Sequence, residues 1–140
     1  MKGSVLSFAA ALAAGLAAAA VAFAAPPQRD FRLQPVGGSR VHGTATVRSL
    51  GAETGMELVL TGLPKGKKFR VLLNAGSCAR RSASFTLLGI AAAGPKGVAH
   101  YSSLVRSNGA PMSFKSIADG KHVIAVVVGK KTVACGSIPA

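Results

Sequence analysis

Cys78 and Cys135 are the only thiols of the chain, 57 positions apart. They have no C-x-x-C spacing, so they can pair with each other, stay free, or join a metal site. The other metal-capable groups are His42, His100 and His122. Three imidazoles hold a transition metal only if separate segments aim them at one point. His42 falls on the polar side of its segment and His100 stands beside Tyr101. Isolated surface or boundary histidines are the simpler reading. The acid inventory is Asp30, Glu53, Glu57 and Asp119. Glu53 and Glu57 flank Gly55, which reads as a turn, and so make a poor acid–base pair. No G-x-S-x-G, H-E-x-x-H, phosphate-loop or G-x-G-x-x-G motif occurs. The residue types point away from catalysis, and no cofactor or metal is expected.

The cations are the stronger signal. Seventeen Lys and Arg face four acids, a formal charge of +13 and a pI near 11.1. Lys65, Lys67, Lys68 and Arg70 cluster in and after one turn. Arg80 and Arg81 follow Cys78, and Lys130 and Lys131 precede Cys135. A basic surface attracts lipid headgroups or acidic polysaccharide through long-range, salt-sensitive forces. The bland reading is a solvated basic surface with no specific partner. Nucleic acid is not expected as a partner, because one Tyr and no Trp leave few large aromatic faces to stack on bases. The protein partner is unknown, and an adhesion or interaction module in a larger complex is a third reading.

The first segment reads as an address. Lys2 precedes an uncharged run from Val5 to Ala24, ending in Ala22-Phe23-Ala24 before Pro26-Pro27. This is the pattern of a signal peptide, residues 1–24, cleaved after Ala24. The competing reading is an uncleaved anchor, but the run is mostly weakly apolar Ala and no basic cluster follows it. The expected location is periplasmic or secreted, with no membrane span after cleavage. Export favours one intramolecular disulfide between the two cysteines. Such a bridge would stabilise the fold by roughly 4 kcal/mol in the chain-entropy view. It would also bring Arg80-Arg81 and Lys130-Lys131 into one neighbourhood, since bridged Cα atoms lie about 5.5 Å apart.

The elements that must position these groups are short strands. Gly and Pro punctuate the chain beyond Ala24 at strand-length intervals, about every 8 to 15 residues. Arg40 to Leu50 alternates, with Val41, Gly43, Ala45 and Val47 on one side. Met56 to Thr61 and Lys68 to Asn74 alternate as well, with Phe69, Val71 and Leu73 facing inward. Ser84 to Leu88, Val98 to Leu104 and a last strand from Thr132 follow the same logic, and Arg32 to Pro35 reads as an opening edge strand. His122 to Val128 is continuous and β-branched, as a central strand should be. Turn signals lie at Gly62 to Gly66, Asp119-Gly120 and Gly129-Lys130. The fold class is all-β: an antiparallel Greek-key β-sandwich or barrel, immunoglobulin-like, preceded by a signal-peptide helix.

Three pieces in order resemble the copper/zinc superoxide dismutase superfamily. Gly43-Thr44-Ala45-Thr46-Val47, followed by Gly62-Leu63-Pro64-Lys65-Gly66, is similar to its early hairpin and GL-x-x-G turn. Phe69-Arg70-Val71-Leu72, leading through Gly76 to Cys78, lies where that family has F-H-V-H and its first disulfide cysteine. Ala134-Cys135-Gly136-Ser137-Ile138 is close to its terminal ACG-x-I. Chordin-repeat-type domains look similar too. The resemblance implies the sandwich and a Cys78 to Cys135 bridge. The chain departs from the family at the metal ligands. Arg70 and Leu72 stand at the copper-histidine positions, and neither can coordinate. From Cys78 to Ala99 there is no His or Asp for zinc, and Thr132 stands where the family has its steering arginine. The chain divides into a signal peptide (1–24), an N-terminal segment (25–39) and a superoxide dismutase-like β-sandwich domain (40–140). The expected function is non-catalytic binding or structure at the cell envelope. A divergent metal-binding protein or enzyme is the alternative.

Overall fold

The computed structural model describes Gly15 and residues 24–140; the remainder of the expected signal peptide lies outside the described residues. Strands β1 (Gln28–Pro35), β2 (His42–Leu50) and β3 (Glu53–Thr61) form a meander. Strands β4 (Lys68–Gly76), β5 (Arg81–Ala92) and β6 (Ala99–Leu104) follow. A short hairpin, β7 (Arg106–Ser107) and β8 (Ala110–Pro111), and one helical turn, α1 (Phe114–Ile117), precede the final pair, β9 (His122–Val128) and β10 (Lys131–Ser137). The eight long strands form one antiparallel sheet in the order β5-β4-β9-β10-β1-β2-β3-β6. The all-β Greek-key barrel expected from the strand pattern is therefore present. The β3–β4 link and the β6–β9 link each cross from one half of the sheet to the other, which generates the Greek key.

Alternation places the core. Met56, Leu58 and Leu60 point inward from β3, while Glu57 and Val59 point out. Phe69, Val71 and Leu73 do the same from β4, and Ile124 and Val126 from β9. Leu33, Val41, Ala45 and Val47 complete the near side of the same cluster. Val105 and Ile117 plug one end, fixed by Thr54, whose buried Oγ1 donates to the Met112 carbonyl at 2.8 Å. Leu63 plugs the other end, its amide donating to Gly97 at 3.1 Å.

Two local expectations change. The segment read as an opening edge strand is interior: β1 pairs with β2 from Gln28 to Leu33 and with β10 through Gln34 and Pro35. It joins the two halves, so the barrel starts within residues 25–39 rather than at Arg40. The reason is that Phe31 and Leu33 alternate inward, a signal too short to separate an edge from an interior strand. Gly55 is also not a turn. It lies inside β3, opposite Arg48 and Leu104, and the turn is Gly51-Ala52.

The sheet's two end strands, β5 and β6, approach each other without ladder pairing. Tyr101 of β6 fills this seam, edge-on to Phe69 with ring centroids 6.5 Å apart. Its hydroxyl lies where a Cβ on Gly89 of β5 would stand. Glycine is required there for space, not for backbone freedom. Gly89→Ala should destabilise the barrel by about 1–3 kcal/mol in urea denaturation, and adding Tyr101→Phe should recover part of that loss.

Candidate functional site

Cys78 and Cys135 are joined, with Cα atoms 5.9 Å apart. The bridge reorganises one face of the barrel. Cys135 lies on β10, three strands away from β5. To reach it, the β4–β5 hairpin tip must fold across the outside of β4 and β9. The tip is a tight turn, with the Arg80 amide donating to the Ser77 carbonyl at 3.2 Å and to Ser77 Oγ at 3.1 Å. Under it lie the outward side chains of Leu72, Ala125 and Val127, a second small buried cluster. Asn74 fastens the start of β5, its Nδ2 donating to the Ser82 and Ser84 carbonyls at 3.1 and 3.2 Å. This explains why β9 is buried on both faces and reads as a continuous apolar run.

The register then gathers cations. Ile90 of β5 pairs with Arg70 of β4, Arg70 with Val127 of β9, and Val127 with Thr132 of β10. Arg70 donates through Nη2 to the Gly129 carbonyl at 3.2 Å. Arg81 donates through Nη2 to Thr132 Oγ1 at 2.7 Å. Arg70 thus anchors on the β9–β10 turn and Arg81 on β10, each on a neutral acceptor. Lys130 and Lys131 are exposed at and just beyond the β9–β10 turn. Lys68 opens β4, and Lys65 and Lys67 lie in the link before it; all three are exposed at that same end of the barrel. The Lys67 carbonyl accepts from Ala93 at 3.0 Å, which brings the β5–β6 link and Lys96 to this end too. Arg40 joins them, its carbonyl packed against Gly62. Arg80 is exposed on the folded tip. The bridge ties the tip that carries Arg80 and Arg81 to the strand that begins at Lys131, and the register of Arg70 with Val127 places the Lys65 to Arg70 cluster beside the same β9–β10 turn.

The acids lie elsewhere. Asp30 is on β1 and Glu57 on β3, paired with Thr46 from either side, and Glu53 stands at the opposite end. Glu53 holds Arg106 in an ion pair at 2.6 Å, and Asp119 hydrogen-bonds with His122 Nδ1 at 2.9 Å. Glu53 and Glu57 are four residues apart on one strand, about 13 Å, too far for a working pair. Hydrogen bonding to His122 holds the Asp119 carboxyl below the ordinary carboxylate range, burial opposes this, and the Lys121 amide at 2.8 Å assists. The hydroxyl of Thr46 and the amide of Gln28 lower Asp30 in the same way.

Arg70 and Leu72, which stand at the copper-histidine positions of the expected resemblance, lie on the outward face of β4. They do not fit copper. Arg70 is engaged with a carbonyl, and Leu72 packs against Ala125 and Val127. Among the described residues no group of three His, Cys, Asp or Glu could hold a metal ion. His42 is bound to Thr61 Oγ1 at 3.1 Å, His100 is exposed, and His122 sits in the other half of the sheet. No described helix is long and apolar enough to cross a membrane.

The sequence reading missed one surface feature. Phe85, Leu87 and Ile90 point outward from β5 and are 51%, 47% and 57% exposed. The alternation of Ser84 to Leu88 identified a strand but not which face was covered. A bulge at Leu88 keeps Ile90 on the same side as Leu87.

Two outcomes are expected. Reducing the bridge, or Cys78→Ser with Cys135→Ser, should lower stability by roughly 4 kcal/mol in urea and raise dye binding as Leu72, Ala125 and Val127 lose their cover. The Asp119 contact stabilises the fold above the ordinary carboxylate range and is lost as pH falls through its lowered value. Asp119→Asn should therefore cost less than about 1 kcal/mol near neutrality, and its stability curve should converge with the parent's in acid.

Compared with family models, with curated proteins and with solved structures, the chain has no match.

Proposed function

We propose that this chain is an exported, non-catalytic barrel of the superoxide dismutase-like type that binds anionic surfaces at the cell envelope, in the periplasm or outside the cell. The observation that carries the reading is the segregation of charge. Lys65, Lys67, Lys68, Lys130 and Lys131 are exposed at one end with Arg70 behind them, and all four acids lie away from that end. A surface so arranged attracts polyanions, and its attraction is screened by salt. The alternating strands, the bridge of Cys78 to Cys135 and the leader-like first segment support the family and the export. Arg70 and Leu72 in place of ligating histidines support a role without copper.

The test is retention on immobilised acidic polysaccharide and on vesicles carrying anionic lipid. Both should hold the protein at low salt and release it near 1 M salt, where the Debye length is about 3 Å. Lys130→Glu with Lys131→Glu should shift release to lower salt on both supports. Equilibration with copper and zinc, followed by desalting, should leave no stoichiometric metal. Metal retained by the parent and lost on His→Ala substitution would instead favour the divergent metal-binding protein.

A further inference from the structure

We infer that the anionic surface is a lipid bilayer, entered by the Phe85–Leu87–Ile90 ridge of β5; the inference rests on the charge-driven reading above and makes it specific. Three large apolar side chains stand about half exposed in one line on an end strand of the sheet. The ridge is about 15 Å long at strand spacing. Exposed apolar surface concentrated in this way marks a contact with a membrane or a partner. The neighbours decide between them. Ile90 is directly opposite Arg70, and Lys68 is opposite Ala92, two residues further along β5. Cross-strand partners stand about 5 Å apart, so a cation lies within one headgroup of the ridge. Arg70 is held by a single carbonyl through Nη2, and its remaining N–H groups suit a phosphate oxygen.

A second copy of the chain is the wrong occupant. It would bring its own Lys68, Arg70, Lys130 and Lys131 against these, in a chain of formal charge +13. Free polysaccharide matches the cations but offers nothing apolar to cover Phe85 and Leu87. A bilayer with phosphate headgroups offers both: oxygen anions at the height of Arg70 and Lys68, and acyl chains for the ridge. The ridge occupies the side of β4 opposite to the folded tip, so the disulfide leaves it uncovered.

The chain contains no Trp, so Leu87→Trp gives one reporter at an exposed position. The protein is collected after export, its N-terminus is determined, and its fold is checked by circular dichroism. With vesicles of mixed zwitterionic and anionic phospholipid, the Trp emission should move to the blue and be quenched by lipids brominated along their acyl chains. Phe85→Ser, Leu87→Ser and Ile90→Thr together should weaken vesicle partitioning by about tenfold or more while leaving retention on acidic polysaccharide unchanged. The parent should stay the same size in light scattering with and without the ridge substitutions. Binding to vesicles with no Trp shift and no loss in the triple variant would overturn this inference and leave the charge-driven reading standing. A ridge-dependent dimer would overturn it too, in favour of a second copy. Absence of binding to both vesicles and polysaccharide at low salt would overturn the reading beneath it.

Discussion

One covalent tie determines the outer surface of half the barrel. Without it the β4–β5 hairpin would extend past the end of the sheet, as hairpin tips ordinarily do. With it, the tip is folded back over β4 and β9 and held against β10. Leu72, Ala125 and Val127 form a separate buried cluster on the face that the bridged tip crosses. The position of Arg81 follows as well, since its contact with Thr132 spans from the flap to the strand that carries Cys135. Burial on this side is created by a loop rather than by a second layer of secondary structure. That is an economical way for a small domain, whose surface is large relative to its volume, to enlarge its core.

The same tie divides the sheet's exterior into two unlike zones. Over β9 the outward Ala125 and Val127 are buried. Over β5, one strand beyond β4, nothing described lies on Phe85, Leu87 and Ile90. Between them runs Arg70, half-buried and tethered to Gly129. Position 70 thus marks the border between covered and uncovered apolar surface. In the superoxide dismutase-like reading this is where a metal ligand would have stood. A long, permanently charged side chain at this border offers electrostatic attraction.

Much of the barrel was legible in the residues because its signals are local. Alternation in β2, β3 and β4 marks the inward positions, and turn residues mark most of the ends. The unbroken apolar run of β9 marked a central strand, though not the cover over its outward face. Other features depend on partners distant in sequence. The interior position of β1 follows from β10, a hundred residues later. Gly55 looks like a turn until β2 and β6 flank it. Gly89 looks like punctuation, and only Tyr101 shows it to be a space for another side chain. For the candidate site, cysteine spacing brought two basic pairs together, while the third cluster needed the register of Arg70 with Val127. The outward ridge was the least visible, because alternation names two faces without saying which one the fold leaves open.

The uneven placement of charge has a consequence for motion as well as for contact. With cations crowded around the β9–β10 turn and the carboxylates set toward the middle and far end, the barrel's centre of charge is displaced from its centre of mass. Near any negatively charged wall such a body feels a torque as well as a pull. The torque acts within a screening distance of about 8 Å at physiological ionic strength. Rotational alignment then precedes touching, and the molecule arrives with its lysine-rich pole leading.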